Sequence, residues 1–111
     1  MRRVVIESPY AGNLWQRFLN RRYARACLRD CLDRDESPLA SHLLYTQRGV
    51  LRDGDAGERA RGIAAGLAWG QAADATVVYT DRGVSVGMRI GIDAAKRANR
   101  PVEFRSLSGR I

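Results

Sequence analysis

The stretch Ala75-Thr76-Val77-Val78-Tyr79-Thr80-Asp81-Arg82-Gly83-Val84-Ser85-Val86-Gly87-Met88 contains, in order, a strand, a break and a helix start. Residues 75–80 form an unbroken run around Val77, Val78 and Tyr79, the pattern of a strand covered on both faces in a parallel sheet. Asp81-Arg82-Gly83 ends it. Ser85 or a neighbour then caps a helix reaching about residue 99, with Met88, Ile92 and Ala95 on its core stripe. A buried strand followed directly by a capped helix is the repeating unit of an α/β fold.

Working outward, Pro101-Val102-Glu103-Phe104 reads as a last strand, entered through a proline, which a strand start tolerates. Upstream, Asp55 stands three residues before Glu58 as a capping box and opens a helix to about residue 73. Its stripe takes Ala60, Ile63, Ala64, Leu67 and Ala68. Gly62, Gly66 and Gly70 recur at four-residue spacing in the same helix, each unfavourable by about 1 kcal/mol relative to alanine. Something therefore approaches closely there, either packing from the sheet or a second subunit, or a ligand.

Pro38-Leu39-Ala40-Ser41-His42 reads as a short second strand. Residues 20–34 carry Ala24, Cys27, Leu28, Cys31 and Leu32 at amphipathic helical spacing, with Arg21, Arg22, Arg25 and Arg29 on the wet face. Val4-Val5-Ile6 is the first strand, ending in the turn-rich Glu7-Ser8-Pro9-Tyr10-Ala11-Gly12. The order β, α, β, α, β, α, β predicts right-handed crossovers and one three-layer, Rossmann-like (flavodoxin-like) α/β domain over residues 1–111, with a parallel sheet of four or five strands.

Composition agrees with one folded domain: 111 residues, 45% hydrophobic and 28% charged, far from the regime of disorder. The N-terminal MRRVVIES has no apolar run long enough for a signal peptide or a membrane helix, so a cytoplasmic location without membrane partners is expected. Cys27 and Cys31 are read as buried small hydrophobes, not a disulfide pair. The net charge of +7 comes from nineteen basic residues, all but one arginine, spread from Arg2 to Arg110 with acids between them. Such scatter suggests compositional bias, and no nucleic-acid reading motif accompanies it, so nucleic acid is not the expected partner.

In parallel sheets ligands bind outside the C-terminal strand ends. Those ends are the loop Ser8-Pro9-Tyr10-Ala11-Gly12, the neighbourhood of His42, and Asp81 to Gly87. The second loop, Gly83-Val84-Ser85-Val86-Gly87, offers a serine hydroxyl and backbone N–H groups at a helix start, which suit an anion. Neither a Walker loop nor a G-x-G-x-x-G fingerprint occurs. His42 is the sole histidine, so no metal is expected. Tyr10 and Trp69 could stack on a base, although Trp69 suits core packing better.

Three segments resemble the nucleoside 2-deoxyribosyltransferase superfamily: Ser8-Pro9-Tyr10-Ala11-Gly12, the run Leu67-Ala68-Trp69-Gly70-Gln71-Ala72-Ala73-Asp74 leading into Val77-Val78, and Ser85-Val86-Gly87 opening a helix. That superfamily includes deoxynucleoside 5′-monophosphate N-glycosidases and many small phage and bacterial proteins, and the resemblance spans nearly the whole chain. It implies a nucleoside or nucleotide ligand, no cofactor, and a homodimer or higher homo-oligomer. Strand-end position and the resemblance together give the expected ligand contacts: Ser8, Pro9, Tyr10, Ala11, Gly12, His42, Asp81, Ser85, Gly87 and Met88. The family's S-x-G-x-x-x-E element supplies a glutamate nucleophile, and an aspartate before the third strand assists the departing base.

Here those two carboxylates fall on Gly91 and Gly66. Asp93 would point about 200° round the helix from position 91, away from the pocket. Asp81, at a strand end, is the remaining catalytic candidate. The resulting expectation is a nucleotide-binding protein without the usual catalytic pair, sequestering or sensing a nucleotide-derived molecule. Two alternatives stand beside it: an active N-glycosidase or deoxyribosyltransferase using other groups, and a basic interaction module using the Arg21, Arg22, Arg25 and Arg29 face.

Overall fold

A computed structural model describes residues 1–108, so Arg110 among the basic residues lies outside them. The elements are β1 (Arg2–Glu7), α1 (Leu14–Asp33), β2 (Glu36–Leu39), α2 (Ser41–Leu44), α3 (Ala56–Gly70), β3 (Ala75–Tyr79), α4 (Val86–Arg97) and β4 (Val102–Arg105). The four strands form one parallel sheet in the order β2-β1-β3-β4. The chain moves outward from β1 to β2, then crosses to β3 on the other side. This reversal creates a switch point between β1 and β3, where a crevice opens past the strand ends.

The period-2 alternation of strands divides the core. Val4, Ile6, Val77 and Tyr79 pack with Cys27 and Cys31 of α1, all at most 1% exposed. Val78 turns the other way and packs with Met88 and Ile92 of α4. Both cysteines are free and buried, as small hydrophobes would be. The buried tyrosine of β3 needs a partner for its hydroxyl: Tyr79 donates to Asp30 Oδ2 at 2.6 Å, and Asp30 also holds Arg34 at 3.0 Å.

Trp69, expected in the core, is instead 58% exposed on α3, and two segments also differ from the sequence-based expectation. Helix α1 starts at Leu14, not near residue 20, because Asn13 and Gln16 form a capping box: Asn13 Oδ1 accepts from Gln16 N at 2.8 Å and Gln16 Oε1 accepts from Asn13 N at 2.9 Å. Its first turns carry exposed Leu14, Trp15 and Phe18, so no inward stripe announces them.

Strand β2 ends at Leu39, and Ser41 and His42 belong to the short helix α2 instead of a strand. The carbonyl of Ala40 accepts from both Leu43 N and Leu44 N at 3.0 Å, turning the chain at once. Pro38 is tolerated because β2 is an edge strand.

The glycine stripe of α3 is accounted for by neighbours other than the sheet. A Cβ on Gly66 would lie 2.6 Å from Ser41 Oγ, one on Gly62 would lie 3.3 Å from Leu51 Cδ1, and one on Gly70 would lie 3.3 Å from an Arg100 guanidinium nitrogen. Removing side chains lets α2 and its following loop close over α3. Among the described residues no helix is long and apolar enough to cross a membrane.

Candidate functional site

A cavity of about 510 Å³ opens at the switch point. Its walls come from the end of β1 and its loop (Val5, Glu7, Ser8, Tyr10, Ala11), from α2 (Ser41, His42), from α3 (Arg59, Ile63, Gly66, Leu67, Gly70) and from α4 (Val86, Gly87, Met88, Ile90, Gly91). Ser85, Asp53 and Arg100 complete it. A mostly apolar hollow with a few convergent polar groups is the usual form of a small-molecule site.

Ser8 Oγ lies 2.7 Å from His42 Nε2, and the edge of Tyr10 faces the imidazole with ring centroids 6.5 Å apart. Burial pushes the His42 imidazole down to about 4, so it is neutral at pH 7 and shares one hydrogen bond with Ser8. Ser85 caps α4 by accepting from Met88 N at 3.3 Å, which leaves its hydroxyl proton free to turn toward the cavity. Arg59 donates to the carbonyl of Asp53 at 3.3 Å, and Arg100 Nε donates to Thr76 Oγ1 at 3.1 Å. Each arginine is steered while keeping further donors.

The group that sequence reasoning passed over is Glu7. It closes β1, where a carboxylate before Ser-Pro reads as turn chemistry, yet it lines the cavity. Among the described residues its side chain has no hydrogen-bond partner, and burial pushes its carboxyl up to about 8, offset only in part by Arg100. Gly91 on α4 is what admits it. A Cβ on Gly91 would overlap the Glu7 carboxyl, with Oε1 2.9 Å away and the other atoms nearer. A glycine inside a helix is unfavourable by about 1 kcal/mol, and here the space it frees is filled by a carboxyl.

Of the contacts expected from sequence, Ser8, Tyr10, Ala11, His42, Ser85, Gly87 and Met88 come together in this cavity, although Met88 is also buried in the core. Pro9, Gly12 and Asp81 are not in its lining. Gly12 has φ +143°, and a Cβ there would overlap the Gln16 side chain, so it serves the start of α1. Asp81 faces a different neighbourhood. It accepts from the Tyr23 hydroxyl and from Ser106 Oγ, each at 2.5 Å, and from Leu107 N at 3.0 Å. Its burial would raise it, but the hydrogen bonds from Ser106 and Tyr23 outweigh this and hold it down at about 2.

A larger, more open hollow of about 710 Å³ lies between α1 and α2, lined by Phe18, Arg21, Arg25, Leu28, Leu43 and Arg48 among others. It touches none of the strand-end loops except Pro38 to Ala40, and among the described residues its lining includes no carboxylate, histidine or cysteine. The switch-point cavity, by contrast, gathers Glu7, Ser8, His42 and Ser85. Among the described residues no three His, Cys, Asp or Glu side chains converge as a metal site.

Strand order, crossover and cavity define a doubly wound α/β protein with a cavity at the switch point. Residues 2–105 match the family model of a domain of unknown function, DUF7768, and the chain belongs to that family. A search of curated proteins finds no match. Among solved structures, a 2-deoxyribosyltransferase from the psychrotolerant bacterium Bacillus psychrosaccharolyticus, described as a suitable biocatalyst for the industrial synthesis of antiviral and antitumoral nucleosides, is similar with a TM-score of 0.65. The match covers 98% of this chain and 75% of that one at 19% sequence identity, a likeness of fold.

Proposed function

We propose that the chain binds a nucleoside or nucleotide in the switch-point cavity. The observation that carries this is the convergence of Ser8, His42, Tyr10 and Ser85 on one mostly apolar hollow of about 510 Å³, large enough for a base and its sugar. Tyr10, Ile63 and Leu67 supply apolar surface for the base. Ser8 and the His42 edge suit sugar hydroxyls. Ser85, with the N–H groups that open the twelve-residue α4, suits a 5′-phosphate, and Arg59 adds positive charge on the far wall.

Isothermal titration of the full chain against deoxynucleosides, deoxynucleoside 5′-monophosphates, cyclic nucleotides and ADP-ribose tests the proposal. At least one of these is expected to bind, and Ser85→Ala is expected to weaken a monophosphate about tenfold while leaving the matching nucleoside unchanged. Silence across the whole panel overturns the proposal.

The partner we propose beside the ligand is a second copy of this chain. Leu14, Trp15 and Phe18 form a contiguous exposed apolar patch on α1, with the two rings stacked at 5.6 Å, beside the open hollow whose rim includes exposed Leu44. Patches of this kind mark association surfaces. Light scattering behind a sizing column should give a mass of twice 12.3 kDa or more, and Trp15→Ser should reduce it toward the monomer.

A specific observation also favours a second reading, in which the bound molecule is cleaved: a carboxyl group without a partner stands in the cavity wall.

A further inference from the structure

We propose that Glu7 is the catalytic carboxyl of an N-glycoside hydrolase, reaching from the end of β1 into the space in front of Gly91 and delivering a proton to the base of the bound nucleoside. This rests on the nucleoside reading above and adds a reaction to it.

Three features of the cavity lead there. Glu7 lines the cavity on a central strand, a rigid support for a reacting group. Its carboxyl has no hydrogen bond among the described residues, whereas Glu36, Asp74 and Asp81 are each tied down by named donors. Gly91 is buried in the middle of α4, and the Glu7 carboxyl supplies the three atoms nearest to where its Cβ would stand. A carboxyl kept unpaired, backed by a residue without a side chain and open to a ligand-sized hollow, is arranged for a partner that is not part of the chain.

The groups around it set its protonation. His42 faces the cavity from α2, Arg59 from α3 with Asp53 before it, Arg100 from the segment after α4, and Tyr10 from the loop after β1. His42 is neutral and committed to Ser8, and Arg59 is engaged with Asp53. Arg100 is the cation that acts on Glu7, and it is itself held by Thr76. Burial prevails, and the carboxyl enters the reaction as the neutral acid.

As the C1′–N bond breaks, its electron pair goes to the base nitrogen, which takes the Glu7 proton. The carboxylate left behind stabilises the positive charge developing at C1′. It then accepts a proton from a water molecule whose oxygen bonds to C1′. The nucleoside and one water become free base and free sugar, and Glu7 is protonated again.

The test incubates the full chain with the deoxynucleosides and deoxynucleoside 5′-monophosphates and follows free base by chromatography, with titration calorimetry in parallel. Base release is expected for at least one ligand, with a rate that falls as pH rises through about 8. Glu7→Gln should bind that ligand within threefold of the parent and release base at least about 100-fold more slowly, the usual contribution of a general acid.

Glu7→Ala combined with Gly91→Glu returns a carboxyl to the same space from α4 and should recover at least tenfold over Glu7→Ala alone. Binding without base release overturns this proposal and leaves the nucleoside reading intact, whereas no binding by the parent chain overturns both. Base release by Glu7→Gln at the parent rate, or a folded double variant no faster than Glu7→Ala, also overturns it.

Discussion

Glu36 and Glu7 sit on adjacent strands of one sheet, β2 and β1, and both carboxyls are withdrawn from bulk water. Glu36 accepts a bidentate pair from Arg105, both contacts at 2.7 Å, and a third bond from Arg2 at 3.3 Å. Arg105 also holds Glu103 at 3.1 Å, and Arg2 binds the same Glu103. The Arg105 fork holds the Glu36 carboxyl below the usual carboxylate range, against the opposing effect of burial. Glu7 has no such fork, and burial alone drives it up to about 8. Neighbouring strands of one small sheet thus hold one carboxyl locked as an anion and another kept as an acid. The first ties three strands together, and the second faces the switch-point cavity.

Removing Glu36 should have the largest effect. Arg105 has only 7% of its side chain exposed, and without Glu36 its charge is buried beside a single half-exposed carboxylate, Glu103. Breaking a buried pair from one side costs about 3 kcal/mol or more, a large share of the stability of a domain this size. A urea melt of Glu36→Gln should show that loss, with an unchanged slope. A shift below about 0.5 kcal/mol would mean that the network contributes nothing.

Glu7→Gln should act in the opposite direction, and only at high pH. In the parent chain the unfolded carboxyl ionises near 4.5 and the folded one near 8, so the folded state binds more protons between those values. Its contribution is complete below about 4.5 and is lost as pH rises through 8. The full difference corresponds to about 5 kcal/mol, which the water bordering the cavity reduces to on the order of 2 kcal/mol. Urea midpoints at pH 5 and pH 9 should therefore fall for the parent and stay level for Glu7→Gln. Parallel lines for the two proteins would refute the buried acid.

His42 supplies a smaller effect of the other sign. Burial lowers its folded value to about 4 against an ordinary 6.5, so the folded state binds fewer protons than the unfolded chain in that window. Its contribution is present above 6.5 and lost as pH falls through 4. Between pH 7 and pH 4, His42→Gln should lose about 1 kcal/mol less than the parent, after discounting for the open cavity. Equal losses would place the imidazole in water.

Much of this architecture was legible in the chain, and the illegible parts share a cause. The strands at Val4 to Ile6 and Val77 to Tyr79 and the capped helix after Ser85 carry local signals, and they alone imply the parallel sheet and the cavity at its strand ends. Ser8, Tyr10, His42 and Ser85 could be placed at that cavity from position alone. Glu7 could not, because a carboxylate before Ser-Pro looks like a turn and its meaning depends on a glycine 84 positions away in α4. Arg59 and Arg100 reach the cavity from helix ends far apart in sequence. The short α2 was hidden by Leu39 and Ala40, which suit a strand as well as a helix approach. One signal did point to Glu7: a glycine at position 91, where the resemblance calls for a glutamate, requires something else to fill the gap.

Asp81 separates pairing from burial and should give the smallest effect. Like Glu36 it is fully engaged, tying Tyr23 of α1 to Ser106 and Leu107 after β4. Unlike Glu36 it is exposed, so water can replace each bond when the carboxylate is removed. Asp81→Ala should therefore cost about 1 kcal/mol or less in a urea melt. Ligand titration at the switch-point cavity should be unchanged, because Asp81 is not part of its lining. A loss as large as that of Glu36→Gln would show that pairing alone, without burial, sets the worth of a carboxylate here. A loss of ligand affinity would mean that the Tyr23–Asp81–Ser106 tie positions the cavity from behind the sheet.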